Sequence, residues 1–171
     1  MVRPRRPEDL ERCVALLREV YDADGYPTVW PADPAGWLAG RRALGAWVAE
    51  ADGALLGHLT LLGTDVTRAH SQWRAALQIP VERVAVVSRL FVSPSARGRG
   101  IGGALIGCAE AHAEAAELEL VLDVAARNEN AIAFYERRGW RRVGRADLAL
   151  SADPWTLEVV LFARAGSHSP S

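Results

Sequence analysis

The chain has 171 residues, 50% hydrophobic and 24% charged, with a formal net charge of -1. That length buries enough surface to fold without disulfides or a structural metal, and the charge balance argues against a generally basic nucleic-acid binder. Cys13 and Cys108 stand outside any C-x-x-C pair and all 20 basic residues are arginine. A disulfide framework, a zinc finger, a Schiff-base lysine and a P-loop lysine are therefore excluded, and a reducing cytoplasm is expected. No apolar run is long enough to span a membrane, and the charged Met1–Arg6 stretch is unlike a secretory signal.

Val2 to Arg6 reads as a short strand. Pro7, Glu8 and Asp9 open a helix to about Asp22, with Leu10, Val14, Leu17 and Tyr21 at helical spacing. Asp24 to Pro27 forms a loop. Asp33 is placed as an N-cap before Pro34 and a short helix through Trp37 and Leu38. Ala46–Glu50 and Leu55–Leu62 flank Asp52-Gly53 as a hairpin. Thr64 to Pro80 reads as an irregular, partly helical connection. Val84–Val92 is a strand, and Gly100–Glu117 is a helix with Ile101, Ala104, Leu105 and Cys108 on its apolar face. Leu118–Val124 is a strand, and Asn130–Arg138 is a helix closed by Gly139. Trp140–Leu148 and Trp155–Arg164 are the last strands. The predicted class is α/β, with one mixed central sheet flanked by helices. A single domain is expected over residues 1–165, followed by a frayed tail at 166–171.

The run Arg97-Gly98-Arg99-Gly100-Ile101-Gly102-Gly103 follows a strand and opens a helix. Glycines let the backbone turn sharply and approach a ligand, and a helix start presents unpaired N–H groups to an anion. Arg97 and Arg99 add positive charge, so the run suits a pyrophosphate. Gly98, Gly100 and Gly103 also satisfy G-x-G-x-x-G, with Asp123 at the end of the next strand, as in a dinucleotide fold. Against that reading, five residues separate Val92 from Gly98, and the 68 residues after Gly103 are too few for a doubly wound sheet. A glycine-rich turn with no ligand is the third reading of the run.

Further on, Asn128, Ala131, Tyr135, Gly139 and Trp140 stand in an N-x-x-A-x-x-x-Y-x-x-x-G-F pattern, with tryptophan in the last place. Arg97, Gly100 and Gly102 fill R/Q-x-x-G-x-G/A. In this order and spacing, residues 84–145 resemble the GNAT superfamily of N-acetyltransferases. The resemblance implies a single-domain GNAT fold whose two central strands, Val84–Val92 and Leu118–Val124, splay apart around acetyl-CoA. It implies that Phe91 and Val92 pair with the pantetheine amides and that Gly98, Arg99, Gly100, Ile101, Gly102 and Gly103 hold the pyrophosphate. Asn128, with Ala131, would reach the pantetheine arm. Tyr135 would donate its hydroxyl to the departing thiolate, the alternative being core packing of the ring. A backbone N–H near Phe91 or Val92 would stabilise the oxyanion.

The base that frees the amine is left open among Glu50, His58, Glu82 and Ser88; Glu50 and His58 also read as solvated strand residues. Cys108 and His112 read as core or core-edge residues, and His70 has no ligand-like partner nearby, so no metal is expected. Tyr21, Asp22, Asp24, Tyr26 and Trp30 crowd the connection where the family builds its acceptor wall, or else pin that loop to the surface. The sequence thus points to a cytoplasmic acetyl-CoA-dependent N-acetyltransferase. Direct transfer to an amine of a small molecule or peptide is expected, with no nucleic acid, membrane or metal, as a monomer or homodimer. The alternative is a catalytically silent acyl-CoA-binding sensor or interaction module.

Overall fold

The computed structural model describes residues 1–63, 70–78, 80–149 and 156–164. In chain order the elements are β1 (Val2–Pro4), α1 (Leu10–Asp24), α2 (Pro34–Ala39), β2 (Ala43–Ala51), β3 (Ala54–Gly63), α3 (His70–Leu77), β4 (Val84–Val92), α4 (Ile101–Ala115), β5 (Glu119–Ala125), α5 (Glu129–Arg137), β6 (Trp140–Ala149) and β7 (Thr156–Arg164). Seven strands hydrogen-bond in the order β1-β2-β3-β4-β5-β7-β6. β4 and β5 run parallel, whereas β1–β2, β2–β3, β5–β7 and β6–β7 are antiparallel. This is the mixed α/β arrangement expected from the sequence.

The chain forms two compact units, residues 1–62 with 87–112 and residues 63–86 with 113–171. The core of the first joins Cys13, Leu16, Leu17 and Val20 of α1 to Leu38, Val48, Leu55 and Phe91. Each such side chain contributes roughly 1.5–3 kcal/mol on leaving water. The buried stripe of α1 is therefore rotated from the expected Leu10–Val14–Leu17–Tyr21 row, because Cys13 and Leu16 offer an equally apolar face. Asp33 caps α2 as expected, its carboxylate accepting the Gly36 N–H at 2.9 Å.

α4 also differs from its sequence reading. Leu105, Ile106 and Ala109 are buried, Ala104 is exposed, and Ile101 and Cys108 are half-buried. The helix is apolar nearly all round, so periodicity does not choose a face. Gly57 of β3 helps to choose it: a Cβ there would lie 3.0 Å from Leu105 and 3.1 Å from Ile101. A side chain there would press on both residues, so glycine eases the close approach of the helix.

In the second unit, Val84, Val86, Val121, Leu148, Val159, Leu161 and Ala163 pack around Trp73. Trp73 lies on α3, a regular helix within the connection that the sequence read as irregular and partly helical. Burying that one indole, 1% exposed, gives the segment its anchor. The parallel β4–β5 register runs from Val84 with Glu119 to Val86 with Val121. Residues 64–69, Trp155 and the 166–171 tail lie outside the described residues.

Candidate active site

The first unit carries the end of β4 and the start of α4. Phe91 is buried, Val92 is half-buried, and Ser93 is buried with its N–H bonded to the Leu56 carbonyl at 2.9 Å. The Ser93 hydroxyl donates to Glu19 at 2.8 Å and meets the Ser95 hydroxyl at 2.8 Å. A 3-10 turn at Pro94–Ala96 leads into Arg97–Gly100, all four exposed. Gly98 and Gly100 have φ of +74° and +77°, and a Cβ on either would meet nothing within 4 Å. The first helical bond of α4 joins the Ala104 N–H to the Gly100 carbonyl at 3.0 Å. The N–H groups of Ile101, Gly102 and Gly103 precede it, as donors for an anion at a helix start.

Arg97 is already engaged. Its Nη1 lies 3.1 Å from one Asp24 oxygen, and Nη2 pairs with the other in a bidentate arrangement. Arg99 is exposed and makes no ion pair among the described residues.

His58 of β3 is fully buried, its ring stacked 5.1 Å from that of Phe91. Arg5 Nη1 lies 3.0 Å from His58 Nε2, and His58 Nδ1 lies 3.0 Å from the Arg89 carbonyl. An arginine can only donate, so Nε2 accepts and Nδ1 carries the proton. Burial pushes the imidazole down to about 3, a neutral ring with both nitrogens occupied. His58 is thus not the solvated residue considered from sequence.

Glu50 is also tied up. It pairs with Arg3 at 2.8 Å and Arg12 at 3.3 Å, and hydrogen bonds from Arg3 hold its carboxyl below the ordinary range. Arg3 bonds Asp9 as well, at 2.7 Å, and Asp9 accepts the Arg6 N–H at 2.7 Å. This cluster fixes the chain start rather than a reacting amine. Ser88 is half-buried on β4, and Glu82 is exposed in the second unit.

The second unit places the other motif. Asn128 is the N-cap of α5, its side-chain oxygen accepting the Ala131 N–H at 3.1 Å. Capping alone therefore accounts for the asparagine of the N-x-x-A pattern. Ala131 is half-buried, and Tyr135, one turn further along, is 7% exposed. The Tyr135 ring lies 5.8 Å from Trp140 and 6.0 Å from Phe162. Asp123, the acid of the rival dinucleotide reading, is exposed on β5.

Residues 10–140 match the profile of the acetyltransferase (GNAT) family. The chain belongs to that family. An uncharacterised N-acetyltransferase of Methanocaldococcus jannaschii is 34% identical over 105 residues, which are 61% of this chain and 42% of that protein. A peptidyl-lysine N-acetyltransferase of Escherichia coli is 34% identical over 68 residues, 40% of this chain and 44% of its own. Both alignments span less than half of these curated relatives. An Arabidopsis thaliana protein solved in complex with acetyl-CoA superposes with a TM-score of 0.69 at 21% identity, over 96% of this chain and 97% of that one. That likeness shows the GNAT fold.

Within this GNAT chain, the connection after α1 is tied to aromatic and cationic neighbours. Arg18 lies 3.7 Å over the Trp30 ring, and Tyr21 meets Trp30 edge-on at 5.1 Å. Tyr26 lies 6.4 Å from Phe91. Asp22 is exposed. Cys108 is half-buried, and His112 is exposed with its ring centroid 5.5 Å from that of Trp47, edge to face. The side chain of His70 lies outside the described residues. No helix among the described residues is long and apolar enough to cross a membrane. Sequence reasoning missed two residues of the first unit, Arg5 and Arg89. The signal was available in Val84–Val92, where one arginine interrupts an otherwise apolar strand that also carries Ser88.

Proposed function

We propose that the protein transfers the acetyl group of acetyl-CoA directly to a primary amine of a small molecule or peptide, in the cytoplasm, within one catalytic domain over residues 1–165. The observation that carries this is the exposed Arg97–Gly100 turn leading into the unpaired N–H groups of Ile101, Gly102 and Gly103. Two left-handed glycines there leave open space beside the backbone, the requirement for a pyrophosphate. Phe91 and Val92, just before the turn, would pair with the pantetheine amides as an added strand. Asn128 would use its amide NH2 for the same arm while its oxygen caps α5.

The amine attacks the thioester carbon, the carbonyl oxygen gains charge, and the C–S bond breaks to give a thiolate. A backbone N–H near Phe91 or Val92 would carry the oxyanion. Tyr135 would give the thiolate its proton or a hydrogen bond, its hydroxyl staying protonated at neutral pH. The base stays open among Glu50, His58, Glu82, Ser88 and water, with the ion pairs of Glu50 and the two bonded nitrogens of His58 favouring the others.

Tyr135→Phe tests this assignment, because it keeps the ring against Trp140 and Phe162 and removes only the hydroxyl. Acetyl-CoA should bind within a few-fold of wild type. Single-turnover acetyl transfer should slow by roughly 10²–10⁴-fold, the worth of a positioned acid. A single-turnover rate within about threefold of wild type would leave Tyr135 a packing residue.

A further inference from the structure

Arg89 sits in the middle of β4 with φ +52°, a conformation that a non-glycine residue holds only where its surroundings enforce it. The His58 Nδ1–H bond to its carbonyl is one such restraint. The guanidinium carbon lies 4.9 Å from the Trp37 ring centroid. Nη1 packs against the backbone of Gly40, where a Cβ would stand 2.7 Å away and where φ is +70°. Nε and Nη1 are buried without a hydrogen-bond partner, in a residue that is itself only partly buried.

The charged neighbour of Arg89 is a second cation, Arg5, while the Tyr26 phenol beside it is neutral at working pH. Arg5 is turned to the Leu38 and Ala39 carbonyls, at 2.6 and 3.4 Å, and to His58. Among the described residues no carboxylate bonds either guanidinium. Burial lowers the pKa of both arginines, yet arginine keeps its charge. Arg5 has the Asp9 carboxylate within its field and bonds two carbonyls, whereas Arg89 has no anion beside it among the described residues, and a half-buried guanidinium left so costs stability that a ligand anion would offset.

We propose that the Arg89 guanidinium, held beside Trp37, Gly40 and Arg5, binds a carboxylate of the acceptor, so that the amine substrate is an amino acid or a molecule carrying a carboxylate near its amine. Nη2 is the guanidinium nitrogen not sealed in the way of Nε and Nη1, and a carboxylate reaching it takes a charge-assisted bond. Arg89 lies two residues before Phe91 on the same strand, which puts the guanidinium-bearing residue next in line to the stretch proposed for the pantetheine. This inference rests on the proposed acetyl transfer and names its substrate class.

The test compares free amino acids with their amides as acceptors, in wild type and in Arg89→Gln. Wild type should prefer acid over amide by about tenfold or more in kcat/KM, and Arg89→Gln should bring that ratio to within about threefold. A wild type that takes amides as well as acids, or a variant that keeps the preference, overturns the proposal. If no amine is acetylated at all, the proposed function fails instead. The anion site is then decided by calorimetry of N-acetylglycine binding to the CoA-saturated protein: binding in wild type that Arg89→Gln loses supports it, and no binding at millimolar ligand overturns it. Arg89→Gln and Arg89→Met should also melt at or above the wild-type temperature, because they remove an uncompensated charge. A clear drop in both would make Arg89 a structural cation and overturn the proposal.

Discussion

His58 donates its Nδ1–H to the carbonyl of Arg89 at 3.0 Å while its Nε2 faces the Arg5 guanidinium at 3.0 Å. A buried imidazole is held neutral there, down to about 3 against an ordinary value near 6.5. The unfolded chain takes up a proton at this residue below about pH 6.5, and the native chain does not. The contribution is therefore complete above that pH and is lost progressively as pH falls toward 3, by up to ~1.4 kcal/mol per pH unit. Denaturant melts from pH 7 to 4 should show this slope, and His58→Gln should reduce it by about one proton while lowering stability at pH 7. An unchanged slope would mean that the imidazole is not sealed.

The Arg97–Asp24 pair makes a prediction about the co-substrate. Both side chains are well exposed, at 45% and 39%, so the pair adds little to stability. With Arg97 proposed as a phosphate ligand, the pair would compete with that phosphate for the same guanidinium. Asp24→Ala should leave the melting temperature nearly unchanged and tighten acetyl-CoA binding up to a few-fold. Arg97→Ala should weaken it by about one to two decades, the worth of ~1.5–3 kcal/mol for a charge-assisted bond. Calorimetry at two salt concentrations checks both, with wild-type binding weaker at the higher one.

The two glycines Gly100 and Gly107 should respond oppositely to alanine. Neither would bring its Cβ within 4 Å of another atom. Gly100 has φ +77°, where a side chain costs about 1–2 kcal/mol, and the distorted turn should also weaken acetyl-CoA binding. Gly107 lies inside α4, where alanine should add roughly 0.5–1 kcal/mol and leave binding alone. Thermal melts with acetyl-CoA titrations separate these outcomes. A Gly100→Ala protein that binds like wild type would remove the turn from the phosphate site.

The glycine turn before α4 and the helix α5 closed by Gly139 were legible in the sequence because each is local, whereas the cap that Asn128 supplies to α5 was not read. The β2–β3 hairpin and the strand Val84–Val92 were legible for the same reason. Packing direction was less so. α4 is apolar on every side, and the choice of Leu105, Ile106 and Ala109 as its buried face depends on a glycine in another strand. α3 went unread as a regular helix because its anchor is one tryptophan rather than a repeating stripe. The base candidates changed most. Glu50 and His58 looked available until Arg3, Arg12 and Arg5, distant in the chain, were placed beside them. Long-range arginine partners leave no spacing signature.

Acetyl transfer to an amine is tested most directly by following CoA thiol release from acetyl-CoA across a panel of amino acids, polyamines, aminoglycosides and peptides, with the acetylated product identified by mass. The proposed function requires release that depends on an amine, saturates with it and yields the N-acetyl product. Acetyl-CoA that binds tightly by calorimetry, yet releases no thiol beyond the amine-free rate with any acceptor, would contradict it and leave an acyl-CoA-binding module.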